Sequence, residues 1–289
     1  MPDYGHELVL GTFFTPQSGR PEQPVELGLL AERSGLDLVT FMDHPYNPGF
    51  LDTWTLLSYI AARTDRVHLS GYVLNLPSRP PAVLARAAAS LDLLSSGRFE
   101  LGIGPGDYYV ADAIAAMGGP RRTRPESLEA LDEAIDVIRE TWDVTKPGPV
   151  VVDGEHYRVT GGMRGPAPAH DVSIWIPAAG PRGRRLAARK ADGWIAGGLW
   201  MHDVDAEMAE ANRIIDEAAT AAGRDPRTIR RIFDFGAELF SVERLLPLAL
   251  EHGVSVFVLV GDDPAAIERW GGEIGPALRE AVTSARSAS

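Results

Sequence analysis

At 289 residues, with 45% hydrophobic and 24% charged residues, the chain has the material for one large globular α/β domain. Its 28 basic and 40 acidic side chains leave a net charge of −12, which argues against nucleic acid as the principal partner. It has no cysteine, which excludes disulfides, thiolate nucleophiles and cysteine-held zinc or iron–sulfur sites.

Apolar, β-branched-rich runs alternate with segments of helical periodicity, the trace of βα units on a parallel sheet. In chain order, strands are expected at residues 7–14, 36–42, 67–74, 98–103, 172–177, 193–196, 232–240 and 254–260. Eight is the number that closes a (β/α)8 TIM barrel. Helices fit residues 24–34, 53–63, 81–96, 125–142, 182–190, 203–222, 242–251 and 264–274. In the fourth of these, Leu128, Leu131, Ile135, Ile138 and Trp142 fall on one face. Asp203 is placed to cap the sixth, Gly97 and Gly223 to end the third and sixth, and Pro276 to break the last. Residues 150–159 look like a hairpin turning at Asp153-Gly154, and 146–171 form an insertion after the fourth strand rather than a boundary. The expectation is a single domain over 1–289, with a small-residue tail at 283–289. No apolar run approaches the roughly 20 residues that span a bilayer. The first residues have neither a basic nor an apolar leader stretch, so a cytoplasmic protein without a membrane partner is expected.

Barrel enzymes build their sites from the loops that follow the strands. After the second strand, Asp43 and His44 place a carboxylate beside an imidazole, a pair able to move protons near neutral pH, or simply a turn. After the fourth, Gly102, Gly104 and Gly106 precede Asp107 and Tyr108, and let the backbone approach a ligand or turn tightly. After the fifth, Ala179, Gly180, Pro181, Arg182 and Gly183 start a helix, an arrangement suited to a phosphate-sized anion. Arg121, Arg122 and Arg124 read first as a solvated surface run, with an anionic tail as the other possibility. No His/Asp/Glu spacing resembles a metal site.

Taken together, Asp43-His44, the run 71–77 in and after strand three, 79–85 leading into 91–98, 100–106, 191–194 and 222–226 resemble the luciferase-like monooxygenase superfamily. That group contains FMN-dependent luciferase relatives and coenzyme F420-dependent oxidoreductases. The resemblance implies a TIM barrel holding F420 or FMN across the strand ends, with its phosphate at Gly180–Gly183. It implies a bulge in strand three behind the ring, with a cis peptide at Tyr72–Val73, and ring or ribityl contacts from Asn75 and Asp107. His44 corresponds to the histidine that F420-dependent relatives use for proton transfer, with Asp43 as its orienting or cofactor-binding neighbour. A small organic substrate, hydride transfer, and a homodimer or larger assembly are also implied. If FMN is the cofactor, monooxygenation with O2 and reduced flavin from a separate reductase is the alternative, and a non-catalytic flavin-binding protein is a further one. Tyr72 stands where many relatives have a small residue.

Overall fold

The computed structural model describes residues 2–106 and 110–288, and its strands close into a barrel. In chain order the elements begin β1 (Val9–Phe14), α1 (Glu22–Arg33), β2 (Leu38–Phe41), α2 (Thr53–Ala61), β3 (His68–Gly71) and β4 (Leu74–Asn75). They continue with α3 (Pro81–Leu94), β5 (Phe99–Gly104), α4 (Ala111–Ala116), α5 (Arg124–Trp142), β6 (Val150–Asp153) and β7 (Arg158–Gly162). The second half holds β8 (Ile174–Pro177), α6 (Pro181–Lys190), β9 (Gly193–Ile195), α7 (Val204–Ala221), β10 (Arg230–Phe235), α8 (Val242–His252), β11 (Val254–Val260), α9 (Pro264–Arg269) and α10 (Gly275–Ala288).

The barrel strands run β1-β2-β3-β5-β8-β9-β10-β11, all parallel, and β11 pairs back onto β1. This is the expected (β/α)8 TIM barrel. Alternation along the strands divides the core in two. Leu38, Trp175, Ile195, Ile232, Val256 and Val258 fill the interior, with Val9, Phe13, Tyr72 and Val73 against them. Outward-facing partners such as Phe99, Phe233 and Phe257 meet the helices.

The helix ends follow local chemistry. The Asp203 side chain accepts from Ala206 N at 3.0 Å, as its position before α7 led us to expect. Thr123 and Glu126 form a capping box at the start of α5. The insertion carries the hairpin β6–β7, whose turn is held by the Glu133 carboxylate of α5, accepting from the backbone of Glu155, His156 and Tyr157 at 2.9 Å each.

Four expectations need correction. The third strand is not continuous over 67–74, because the chain leaves the ladder at Tyr72-Val73 and rejoins it as β4 beside β5. The Tyr72–Val73 peptide there is cis, as the family resemblance implies. The seventh barrel strand ends at Phe235, not 240; Ala237–Leu239 is a 3-10 turn, and Phe240 is apolar because it packs on Phe235 and Trp270. The last helical run breaks before Pro276, through a π turn at Trp270–Ile274 in which Gly275 N–H bonds Trp270 O. Pro276 has no N–H to continue the ladder, so the register shifts ahead of it. The small-residue tail is helical to Ala288, tied down by Arg286 to Asp3 at 2.7 Å.

Candidate functional site

The loops singled out in the sequence all leave the C-terminal ends of barrel strands, and so open on one face of the barrel. Asp43 and His44 follow β2. Being adjacent at a strand end they diverge, and the structure gives them different tasks. Asp43 is 3% exposed, and its Oδ2 accepts from Asn75 N at 2.8 Å and Arg79 Nη1 at 2.5 Å. Arg79 also reaches Asp52, the N-cap of α2, at 3.1 Å. Asp43 is therefore an electrostatic anchor for the bulge and for Arg79. His44 is only partly buried, its Nδ1 hydrogen-bonded to the Tyr46 hydroxyl, with Phe50 at a ring separation of 6.3 Å.

The bulge explains two glycines of β5. A Cβ on Gly102 would lie 2.1 Å from Gly71 O, and one on Gly104 would lie 2.5 Å from the Val73 side chain. These positions face inward, and what approaches them is the chain's own displaced third strand. Gly106 turns at φ 78° against Pro77 and Ile114. Asp107 and Tyr108 lie outside the described residues.

Across the mouth, Tyr72 makes the contact that was not legible in the sequence. Its hydroxyl donates to Asp234 Oδ1 at 3.1 Å, and its ring packs on Phe13 with centroids 5.2 Å apart. Tyr72 follows β3 and Asp234 belongs to β10, which stands four places from β3 in either direction around the barrel. The pair thus bridges the opening from wall to opposite wall. Asp234 is 5% exposed and also accepts from Gly198 N at 3.1 Å and Leu199 N at 3.4 Å, pinning the turn Gly198–Trp200 after β9. Burial raises the Asp234 carboxyl above the usual range, and burial together with Asp234 raises the Tyr72 phenol well above 10. An aspartate inside an expected strand gave no cue to this pairing, because its partner lies 162 positions away in the sequence.

After β8, Gly180 is the N-cap of α6 with no side-chain cap, and Ala179, Gly180, Pro181 and Arg182 are exposed. Pro181 has no N–H, so the first turn offers the amides of Arg182 and Gly183. Nothing lies within 4 Å of a Cβ built on Gly180, so the approach to this turn is open. Arg182 reaches Glu129 at 3.2 Å. Of the other basic cluster, Arg121 pairs with Asp112, and Arg122 stacks on Tyr157 at 4.9 Å and bonds its hydroxyl at 3.2 Å. Both contacts tie down the surface, in keeping with the first reading of that run. A separate groove of about 530 Å³ between α1 and α2 is lined by Val25, Leu29, Leu56 and Tyr59 and reaches Asp52 at the start of α2.

The model of the luciferase-like monooxygenase family matches residues 9–274. The chain belongs to that family. Among family relatives, an F420-dependent glucose-6-phosphate dehydrogenase of Intrasporangium calvum is 30% identical over 272 residues, covering 88% of this chain and 78% of the relative. A 5,10-methylenetetrahydromethanopterin reductase of Archaeoglobus fulgidus is 31% identical over 261 residues, covering 89% and 72%. The fold of an F420-dependent secondary alcohol dehydrogenase superposes with a TM-score of 0.80 at 18% identity, covering 94% of this chain and 99% of that one. A long-chain alkane monooxygenase superposes at 0.78 and 16%, covering 95% and 92%. No helix among the described residues is long and apolar enough to cross a membrane.

Proposed function

We propose that this chain is an F420-dependent oxidoreductase that exchanges a hydride with a small organic substrate at the C-terminal mouth of the barrel. The broader statement, an oxidoreductase working with F420 or FMN, rests on family membership; the choice of F420 rests on the relatives at 30–31% identity. The observation that carries the location is the pairing, on one barrel face, of an uncapped helix N-terminus after β8 with the bulge after β3, two strands away around the barrel. The residues suit such a cofactor. A phosphate would meet the amides of Arg182 and Gly183 and the positive end of the α6 dipole, with no Cβ at Gly180 to obstruct it. The bulge Tyr72-Val73, backed by Phe13, offers an apolar surface for a flat ring, and Asn75 and Gly106 flank it. When bound, the cofactor supplies the hydride chemistry.

The protein does the rest. Asp43 holds the Asn75 amide and Arg79, which fixes the bulge. His44, steadied by Tyr46, gives or takes the proton that balances the hydride at the substrate oxygen. The mouth's apolar lining keeps water from the transfer. We place this enzyme in the cytosol as a homo-oligomer, with a separate F420 reductase as its partner in turnover. Titration with F420 and, separately, FMN, followed by cofactor fluorescence, tests the reading. Saturable binding of F420 and not FMN is expected; FMN binding alone would replace the proposal with flavin chemistry.

A further inference from the structure

The mouth has an electrical asymmetry that bears on the substrate. The turns after β9, β10 and β11, residues 196–203, 236–241 and 261–263, contain no lysine or arginine. They carry Asp203, Glu238, Asp262 and Asp263 and one histidine, His202, and Asp234 lies buried at their base. The nearest basic residue in sequence, Arg244, is exposed in the first turn of α8. Three arginines elsewhere around the opening are engaged, Arg79 with Asp43 and Asp52, Arg182 with Glu129 and Arg20 with Glu22, while Arg184 of α6 is buried over the Trp194 ring. Beside these carboxylates, this half of the mouth presents exposed apolar side chains. Leu199 is 42% exposed and Trp200 85% exposed, on the turn that the Asp234 carboxylate grips through two backbone amides. An indole left open to water at the rim of a barrel marks a contact surface.

From this we infer that the site takes an uncharged substrate with an apolar body, walled by Leu199 and Trp200, and does not take a sugar phosphate. The inference rests on the placement of the cofactor at this mouth. A phosphate monoester carries close to two negative charges at neutral pH, and burying it requires arginine, lysine or several free amides. Here it would meet a rim without lysine or arginine above a buried carboxylate, which repels it. A ketone or secondary alcohol asks for neither. Hydride to or from its carbon and a proton on or off its oxygen complete the exchange, with His44 at the proton. An overall identity of 30% to a glucose-6-phosphate dehydrogenase therefore does not carry the phosphate substrate over to this chain.

The test proceeds in two steps that fail separately. Saturable quenching of F420 fluorescence is established first, and its absence would overturn the cofactor reading and this inference with it. The loaded protein, wild type and Trp200→Ala, is then titrated with 2-butanone, 2-octanone and glucose 6-phosphate, following tryptophan emission and F420 fluorescence. The expected result is 2-octanone bound at least about tenfold more tightly than 2-butanone, since four more methylenes are buried. That preference should shrink severalfold in Trp200→Ala, and glucose 6-phosphate should leave both signals unchanged. A saturable response to glucose 6-phosphate, or no chain-length preference in the wild type, would overturn the proposal. A preference that survives intact in Trp200→Ala would remove Trp200 from it.

Discussion

Asp43 and His44 are neighbours in sequence and read naturally as one proton-handling pair. Strand alternation separates them: Asp43 turns into protein to meet Arg79 and Asn75, while His44 stays partly open. Their variants should separate likewise. His44→Ala should lower kcat by about 10²–10⁴, the usual range for a lost general acid or base, with the melting temperature unchanged; unaltered turnover would remove His44 from the chemistry. Asp43→Asn should instead act through stability, costing on the order of 2–3 kcal/mol in urea unfolding, since it leaves Arg79 with only the Asp52 carboxylate. That the two residues mattered was legible from their strand-end position. That they differ in role was not, because it depends on Arg79, which arrives 36 residues later along the chain.

At the level of elements, the eight strands were legible because hydrophobic alternation and βα spacing are local signals. Three features were not. The break in strand three, which only the family resemblance implied, leaves the apolar pattern through Leu74 intact, so the hydrophobic sequence reads straight across it. The apolar 239–240 pair continues the pattern of strand seven, yet Phe240 folds back on Phe235 at the end of that strand and meets Trp270, which is brought there only by folding. The glycines of β5 looked like a ligand approach, whereas they clear space for the displaced third strand. This last point is testable by ranking. Gly102→Ala drives a Cβ against the Gly71 carbonyl, which no rotamer can relieve, and should cost about 3 kcal/mol or more. Gly104→Ala meets the movable Val73 side chain and should cost less, about 1–2 kcal/mol. Equal stabilities in urea unfolding would contradict the packing assigned to β3 and β5.

Over the whole molecule, the two ends of the barrel do different work. The N-terminal end is fastened by charge: Asp92 and Glu100 hold His170 at 2.9 and 3.3 Å, and His68 approaches Glu100 at 3.5 Å. Glu100, chiefly by its hydrogen bond, and Asp92 raise the His170 pKa to about 9 against the opposing effect of burial. A folded-state pKa above the unfolded one stabilises the fold while the imidazole is charged. The contribution is thus full below about 6.5 and disappears as the pH rises through about 9. With a third of the side chain open to solvent it should amount to about 1–2 kcal/mol, read as a fall in melting temperature across that window. His170→Ala should flatten the fall; an unchanged slope would show that another group produces it.

The C-terminal end is where catalysis is placed, and the cofactor's seat at α6 is the claim on which the rest depends. Gly180→Asp addresses it directly, because the position has room for a side chain and φ of −107°, which any residue tolerates. An aspartate there is a good N-cap and should leave the melting temperature unchanged or slightly higher, while filling the amide turn with its own negative charge. The variant's Kd for F420, by fluorescence quenching, should rise at least about tenfold through loss of the anion seat. An unchanged Kd in a protein of undiminished stability would place the phosphate elsewhere and contradict the claim.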